Sequence, residues 1–171
     1  MEKILSEESL SSQIRLLQKD GKKVVFTNGC FDLLHVGHVR YLKAARELGD
    51  CLVVAINSDD SMRALKGNER PIIPEEQRVE ILAALSCVDY VIIFQELDPF
   101  RLISLLQPDV LVKGGDWAPE QIVGREEVEA RGGKVLSLPL VEGIGTSTII
   151  SSILNKYAKS SRNSSKDPIK S

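Results

Sequence analysis

The sequence predicts an α/β fold: a doubly wound parallel sheet of five strands with helices on both faces. Three observations carry this. Short apolar runs alternate with stretches of helical periodicity from end to end. The run at 51–56 is unbroken and apolar, as a strand buried on both faces must be. Glycines and polar residues collect just after the strand-like runs, where such sheets bind ligands.

The elements follow in order. Leu10, Ile14 and Leu17 at helical spacing predict a helix over 7–19, capped by Ser6 and stopped near Gly21. Residues 23–29 read as the first strand. Val39, Leu42, Ala45 and Leu48 share one face of a helix over 38–48, and Gly49-Asp50 makes the turn into the strand at 51–56. Polar residues 57–71 read as loop with a short helix at 61–65. Pro74 suits the first turn of a helix over 75–85. A third strand is expected at 89–94, a helix at 100–106 ended by Pro108, and a fourth strand at 110–113 broken by Gly114-Gly115. A helix over 120–130, a fifth strand at 134–138 and a last helix over 146–157 complete the alternation. Residues 1–158 are read as one domain, and the Ser/Lys-rich stretch 159–171 as a disordered tail.

Bulk properties exclude several classes of function. Acidic residues outnumber basic ones, 24 to 22, so there is no broad attraction to nucleic acid and any anion site must be local. No apolar run approaches the ~18 residues of a membrane span, and the acidic, polar start is unlike a secretory signal. Cys30, Cys51 and Cys87 are odd in number and widely spaced, which fits reduced thiols and a cytoplasmic setting.

The sharpest chemical signal is His35-Val36-Gly37-His38. Two histidines three apart at a helix start can lie on one side. The helix amino end supplies free N–H groups and partial positive charge, and Gly37 leaves its backbone open to a phosphate. Two imidazoles there can donate hydrogen bonds to phosphoryl oxygens as charge builds on them. Two other readings stay open. The pair can ligate zinc, with Cys30 or Asp32 as a third ligand, or can be ordinary residues of a helix start. Lys66-Gly67 and Arg70-Pro71 supply loop cations that can close on a triphosphate or form an ordinary solvated basic loop. Arg78 lies in the first turn of a helix, where a cation is unfavourable by itself, so an anion partner is expected: Glu75 or a phosphate. Thr146 and Ser147, after Gly143 and Gly145, read either as a helix cap or as a second phosphate-binding turn. Trp117, the single tryptophan, either stacks on a ring or packs. No dinucleotide fingerprint or Walker loop is present.

The run from Asn28 to His38, NGCFDLLHVGH, resembles the signature of the cytidylyltransferase-like superfamily. The likeness extends by ordered motifs over about residues 22–155. It implies a Rossmann-like sheet and an enzyme that binds a nucleoside triphosphate with Mg²⁺. Within the superfamily, Phe26 to Asp32, Lys66-Gly67 with Arg70-Pro71, Asp109 to Asp116, Ile122-Val123-Gly124 and Val141-Glu142-Gly143 are most similar to the adenylyltransferases of ADP-heptose synthesis. Those transfer AMP from ATP to heptose 1-phosphate and release pyrophosphate. The chain would then be a stand-alone form of a domain that is fused elsewhere to a sugar kinase, and a homodimer.

The resemblance also implies roles. His35, His38 and Lys66 would be catalytic. Asn28, Gly29, Cys30, Phe31, Gly37, Arg78, Gly143, Thr146 and Ser147 would bind the nucleotide. Asp32, Asn57, Lys113, Gly114, Gly115, Asp116 and Trp117 would hold the second substrate. Mg²⁺ would be bound through the nucleotide phosphates, with no metal ligands from the protein. Glycerol-3-phosphate cytidylyltransferases resemble Arg-Thr-x-Gly-Ile-Ser-Thr-Thr where this chain has Leu140 to Ser147. Leu140 in place of the arginine argues against the cytidylyl branch, and Gly145 replaces a serine usual in both groups. The alternatives are a cytidylyltransferase acting on glycerol 3-phosphate and a nucleotide-binding module without catalysis.

Overall fold

The computed structural model describes residues 2–115, 117–139, 141 and 143–164. Five parallel strands form one sheet in the order β3-β2-β1-β4-β5. They are β1 (Val24–Gly29), β2 (Cys51–Asn57), β3 (Tyr90–Phe94), β4 (Val110–Gly114) and β5 (Lys134–Leu138). The helices are α1 (Glu7–Lys19), α2 (Val36–Arg46), α3 (Asp59–Lys66), α4 (Glu75–Ala83), α5 (Phe100–Leu106), α6 (Arg125–Glu129) and α7 (Thr146–Ser164). This is the predicted Rossmann-like α/β fold.

Because successive strand residues face opposite sides, β1 and β2 feed two cores. Val24, Phe26, Cys51, Val53 and Ala55 pack with Leu10 and Ile14 of α1, with Leu102, Ile103 and Leu106 of α5, and with Val128 of α6. Val25, Leu52, Val54 and Ile56 pack with Tyr41, Leu42 and Ala45 of α2 and with Val79 and Leu82 of α4. All seven residues of β2 are buried, which is why its apolar run shows no alternation.

The chain runs outward from β1 through β2 to β3, then returns to place β4 on the other side of β1. That reversal opens a crevice at the carboxyl ends of β1 and β4. Asn28 and Lys113 flank it, with the Lys113 Nζ 3.3 Å from the Asn28 Oδ1.

Three predicted elements shift. Helix α2 begins at Val36, with His35 as its N-cap, so both histidines belong to its first turn. The helix expected over 120–130 is broken into a 3₁₀ turn at Pro119–Gln121 and the short α6. Gly124 lies between them with φ of 86°, and a Cβ there would come within 2.7 Å of the Ile103 side chain. A side chain at 124 would therefore press on α5, and the left-handed backbone breaks the helix there. Helix α7 continues to Ser164, into the stretch read as a tail; residues 165–171 lie outside the described residues. No helix among the described residues is long and apolar enough to cross a membrane.

Candidate active site

Two adjoining cavities share Asn28, Gly29, Cys30, Lys66, Lys113 and Trp117, and so form one two-lobed crevice over β1 and β4. One lobe, about 430 Å³, is also lined by Phe31, Asp32, His38, Tyr41, Arg70, Gly114, Thr146 and Ser147. The other, about 350 Å³, adds Asn57, Asp98 and Gln121 to an apolar wall of Leu65, Leu97, Pro99, Ile122 and Val123.

The histidine pair sits at the mouth of α2. The two rings are stacked, with centroids 3.8 Å apart and planes 21° from parallel, and Phe31 lies 5.2 Å from the His38 ring. The Nδ1 atoms of both are buried without a hydrogen-bond partner among the described residues. Burial, and then the neighbouring His35, push the His38 imidazole down to about 4. Burial lowers His35 as well. Both rings are thus neutral near pH 7, and each has one N–H to donate.

Gly37 plays a different part from the one expected. Its open face is filled by the His35 ring: a Cβ there would lie 3.0 Å from the imidazole. The glycine seats the histidine and does not itself line the crevice.

Cations surround the floor. Lys66, Arg78, Arg70 and Lys113 all act to lower the Cys30 thiol, yet burial outweighs them and its pKa is raised. Cys30 therefore stays a protonated thiol at neutral pH. Its Sγ lies 3.8 Å from the Asn57 Oδ1. The Lys113 ammonium is lowered from its ordinary value by burial, with Lys66 adding to the effect. Its Nζ also lies 6.0 Å from the centre of the Trp117 ring. Trp117 is half exposed and lines both lobes, with its indole N–H donated to the Gly114 carbonyl at 3.1 Å.

Several expected contacts are redirected. Asp32 faces the loop after α3: its carboxylate accepts from the Arg70 Nε at 2.5 Å and from the amides of Ile72 and Ile73 at 2.9 Å. These bonds hold it well below the usual carboxylate range despite its burial. Arg78 is buried, and its anion partner is Asp59 at 2.7 Å, neither Glu75 nor an open phosphate site. Gly115 is tied to β5 through the Leu138 carbonyl and the Ser137 hydroxyl and does not line the crevice. Gly143 makes a left-handed turn beside a separate groove formed with Ile144 and α7. Asp116, Leu140 and Glu142 lie outside the described residues.

Thr146 and Ser147 open α7 and face the crevice, with the Thr146 hydroxyl 3.5 Å from the Leu33 carbonyl. Zinc coordination by the histidine pair lacks a third ligand: among the described residues no three His, Cys, Asp or Glu side chains converge on one point. Sequence reasoning missed Tyr41, whose hydroxyl lies 2.6 Å from the Thr27 Oγ1 and donates to the Val112 carbonyl at 3.2 Å. Its position one turn after His38 was the available signal. It also missed the apolar lobe, whose apolar wall comes from three segments distant in sequence, around 65, 97–99 and 122–123.

Comparison with known proteins identifies the family. The cytidylyltransferase-like family profile matches residues 26–151. The chain is 56% identical over 155 residues to the bifunctional protein HldE of Syntrophotalea carbinolica and 57% identical to that of Citrifermentans bemidjiense. In both cases the match covers 91% of this chain and 32% of the relative. The chain thus spans about a third of the length of the curated relatives it matches. Among solved structures, a lipopolysaccharide core biosynthesis protein from Thermoplasma volcanium superposes with a TM-score of 0.57 at 28% identity, covering 71% of this chain and 98% of that one. A pantoate-beta-alanine ligase from Francisella tularensis, at 18% identity and the same TM-score, covers 81% of this chain and 67% of its own, and shares the fold. The crevice, its histidine pair and the extent of the match place the chain in the cytidylyltransferase-like family of nucleotidyltransferases.

Proposed function

We propose that the chain transfers AMP from ATP to a sugar 1-phosphate, heptose 1-phosphate, giving an ADP-sugar and pyrophosphate. The observation that carries this reading is a stacked, neutral histidine pair at a helix amino end, beside a crevice ringed by Lys66, Arg70 and Lys113. The adenylyl and heptose parts rest on the motif resemblance and on Leu140, which stands where the cytidylyl branch has arginine.

In this reading the α-phosphate lies beside His35 and His38, whose N–H groups donate to its non-bridging oxygens. Lys66 and Arg70 face the β- and γ-phosphates, together with Thr146, Ser147 and the amino end of α7. Asn28, Gly29, Cys30 and Phe31 form the floor beneath the nucleotide, and Lys113, Asn57 and Trp117 adjoin the second substrate. A phosphate oxygen of the sugar 1-phosphate attacks the α-phosphorus in line. The bond from that phosphorus to the bridging oxygen breaks, and pyrophosphate leaves with the bonding pair. The attacking phosphate is already ionised, so no general base is required. Each neutral imidazole has one N–H with which to stabilise the charge on the phosphoryl oxygens.

Mg²⁺ belongs to the substrate as MgATP. The crevice side chains are mainly cations and neutral donors, and the Asp32 carboxylate is engaged by Arg70 and two amides. Such a surface suits a metal held by phosphate oxygens and water. The reading includes a cytoplasmic setting and a homodimer, the latter tested by light scattering, where a monomer mass removes it.

The deciding assay measures pyrophosphate release from ATP and CTP, each with heptose 1-phosphate and with glycerol 3-phosphate. Turnover with ATP and heptose 1-phosphate is expected. Turnover confined to CTP, or tight ATP binding with no release from any pair, contradicts the proposal.

A further inference from the structure

Arg78 carries its charge inside the protein. Its side chain has no exposed surface, and it lines neither lobe of the crevice. It also sits in the first turn of α4, where a cation opposes the helix dipole. Its position needs a compensating purpose, and the acceptors supply one.

Four hydrogen bonds radiate to four segments. The guanidinium donates to the Cys30 carbonyl at 2.6 Å, just past β1, and to the Asn57 carbonyl at 2.9 Å, at the end of β2. It donates to the Asp59 carboxylate at 2.7 Å, where α3 begins, and to the Ile73 carbonyl at 3.0 Å, where the next loop ends. The β1–β2 ladder has its last pair at Gly29 and Ile56. Beyond it the guanidinium joins the two strand ends, beside the long Cys30–Asn57 contact at 3.8 Å.

Each bonded segment leads to a crevice group. Cys30 opens the turn that reaches His38, which lines the crevice, and its stacked neighbour His35. Asp59 starts the helix that ends at Lys66. Ile73 closes the loop carrying Arg70, and its amide donates to the same Asp32 carboxylate that Arg70 pairs with.

We propose that Arg78 is a positioning residue: its guanidinium sets the spacing between the histidine wall and the Lys66–Arg70 wall of the crevice without touching a substrate. This rests on the nucleotidyltransferase reading above. Only a planar fork with five N–H groups serves acceptors in four directions; a lysine offers three donors from one point.

The test is a double-mutant cycle of Arg78→Lys and Lys66→Ala, read by pyrophosphate release, together with amide hydrogen exchange on Arg78→Lys. Each single variant is expected to lower kcat about 10- to 10²-fold, the range for losing a charge-assisted hydrogen bond. The double variant is expected to lose little more than either alone, because Lys66 acts only when α3 is held. Multiplying losses, or a change confined to the KM for ATP, would overturn the proposal. Exchange should quicken at Ile72, Ile73 and along α3 while the strand cores stay protected; unchanged protection there overturns it whether or not the wild type turns over. Should the wild type release no pyrophosphate, the function fails and the exchange measurement still decides the brace. If Arg78→Lys does not fold, Asp59→Asn keeps the guanidinium, removes its counter-charge, and is read by the same two measurements.

Discussion

The His35 and His38 imidazoles stack face to face, with centroids 3.8 Å apart, at the first turn of α2. Among the described residues neither Nδ1 has a hydrogen-bond partner, so none of them fixes the rings by pairing with it. Packing does that work: Phe31 flanks one ring and Gly37 gives room to the other. In the proposed reading the pair is a preformed donor surface, and the predictions below follow from that reading and from the fold that holds the pair.

Removing either ring should cost catalysis more than binding. His35→Ala and His38→Ala are each expected to lower kcat at least ~10²-fold, the scale of one lost transition-state donor. The KM for ATP should change much less, because Lys66, Arg70 and the α7 amino end remain. Steady-state kinetics check this, and near-normal kcat in both variants contradicts the assigned role.

Gly37→Ala separates stability from activity. Alanine favours a helix over glycine by about 0.5–1 kcal/mol, while the new Cβ meets the His35 ring at 3.0 Å. The ring is the part able to move. Thermal melts should show no loss of Tm, and pyrophosphate release should fall. A large drop in Tm, or unchanged turnover, runs against this account of the glycine.

The pair also gives the free protein an acid-sensitive stability. The His38 imidazole is held at about 4 against an ordinary 6.5. Where the folded value is the lower one, the unfolded chain takes up the proton first as pH falls. The contribution is complete above 6.5 and is lost as pH drops through the interval toward about 4. Tm measured from neutral pH down to about 4 should fall more steeply for the wild type than for His38→Gln. Parallel curves would show that His38 is not held neutral by burial.

Gly124→Ala tests the break between the 3₁₀ turn and α6. The residue has φ of 86°, and its Cβ would meet Ile103 at 2.7 Å. Left-handed backbone costs an alanine roughly 1–2 kcal/mol, and overpacking adds about 1–3. Urea denaturation should show a loss of about 2–5 kcal/mol from these two sources. A neutral result would contradict both the left-handed strain and the close approach of Ile103.

Much of this architecture was legible because local pattern and tertiary role coincide. The unbroken run of β2 announced a strand covered on both faces. The histidine pair could be placed at a helix start because that chemistry is local, and the resemblance of the surrounding motif supplied the reaction proposed for it. What stayed hidden depends on segments meeting in space. Arg78 looks the same in sequence whether it faces a phosphate or two strand ends. Asp32 gives no sign that the amides of Ile72 and Ile73 will claim its carboxylate. Gly124 gives no sign that its backbone will turn left-handed or that Ile103, on another helix, will lie against it. Leu65, Leu97, Ile122 and Val123 read as ordinary apolar residues until the sheet order brings them around one lobe.

The central claim is that the stacked imidazoles face the innermost phosphate of a bound triphosphate. A crystal structure with a non-hydrolysable ATP analogue and Mg²⁺ tests it most directly. The account predicts the α-phosphate within hydrogen-bond reach, about 2.6–3.2 Å, of a ring nitrogen of His35 or His38, with Lys66 and Arg70 on the outer phosphates. A triphosphate seated elsewhere, with both rings packed away from it, contradicts the account.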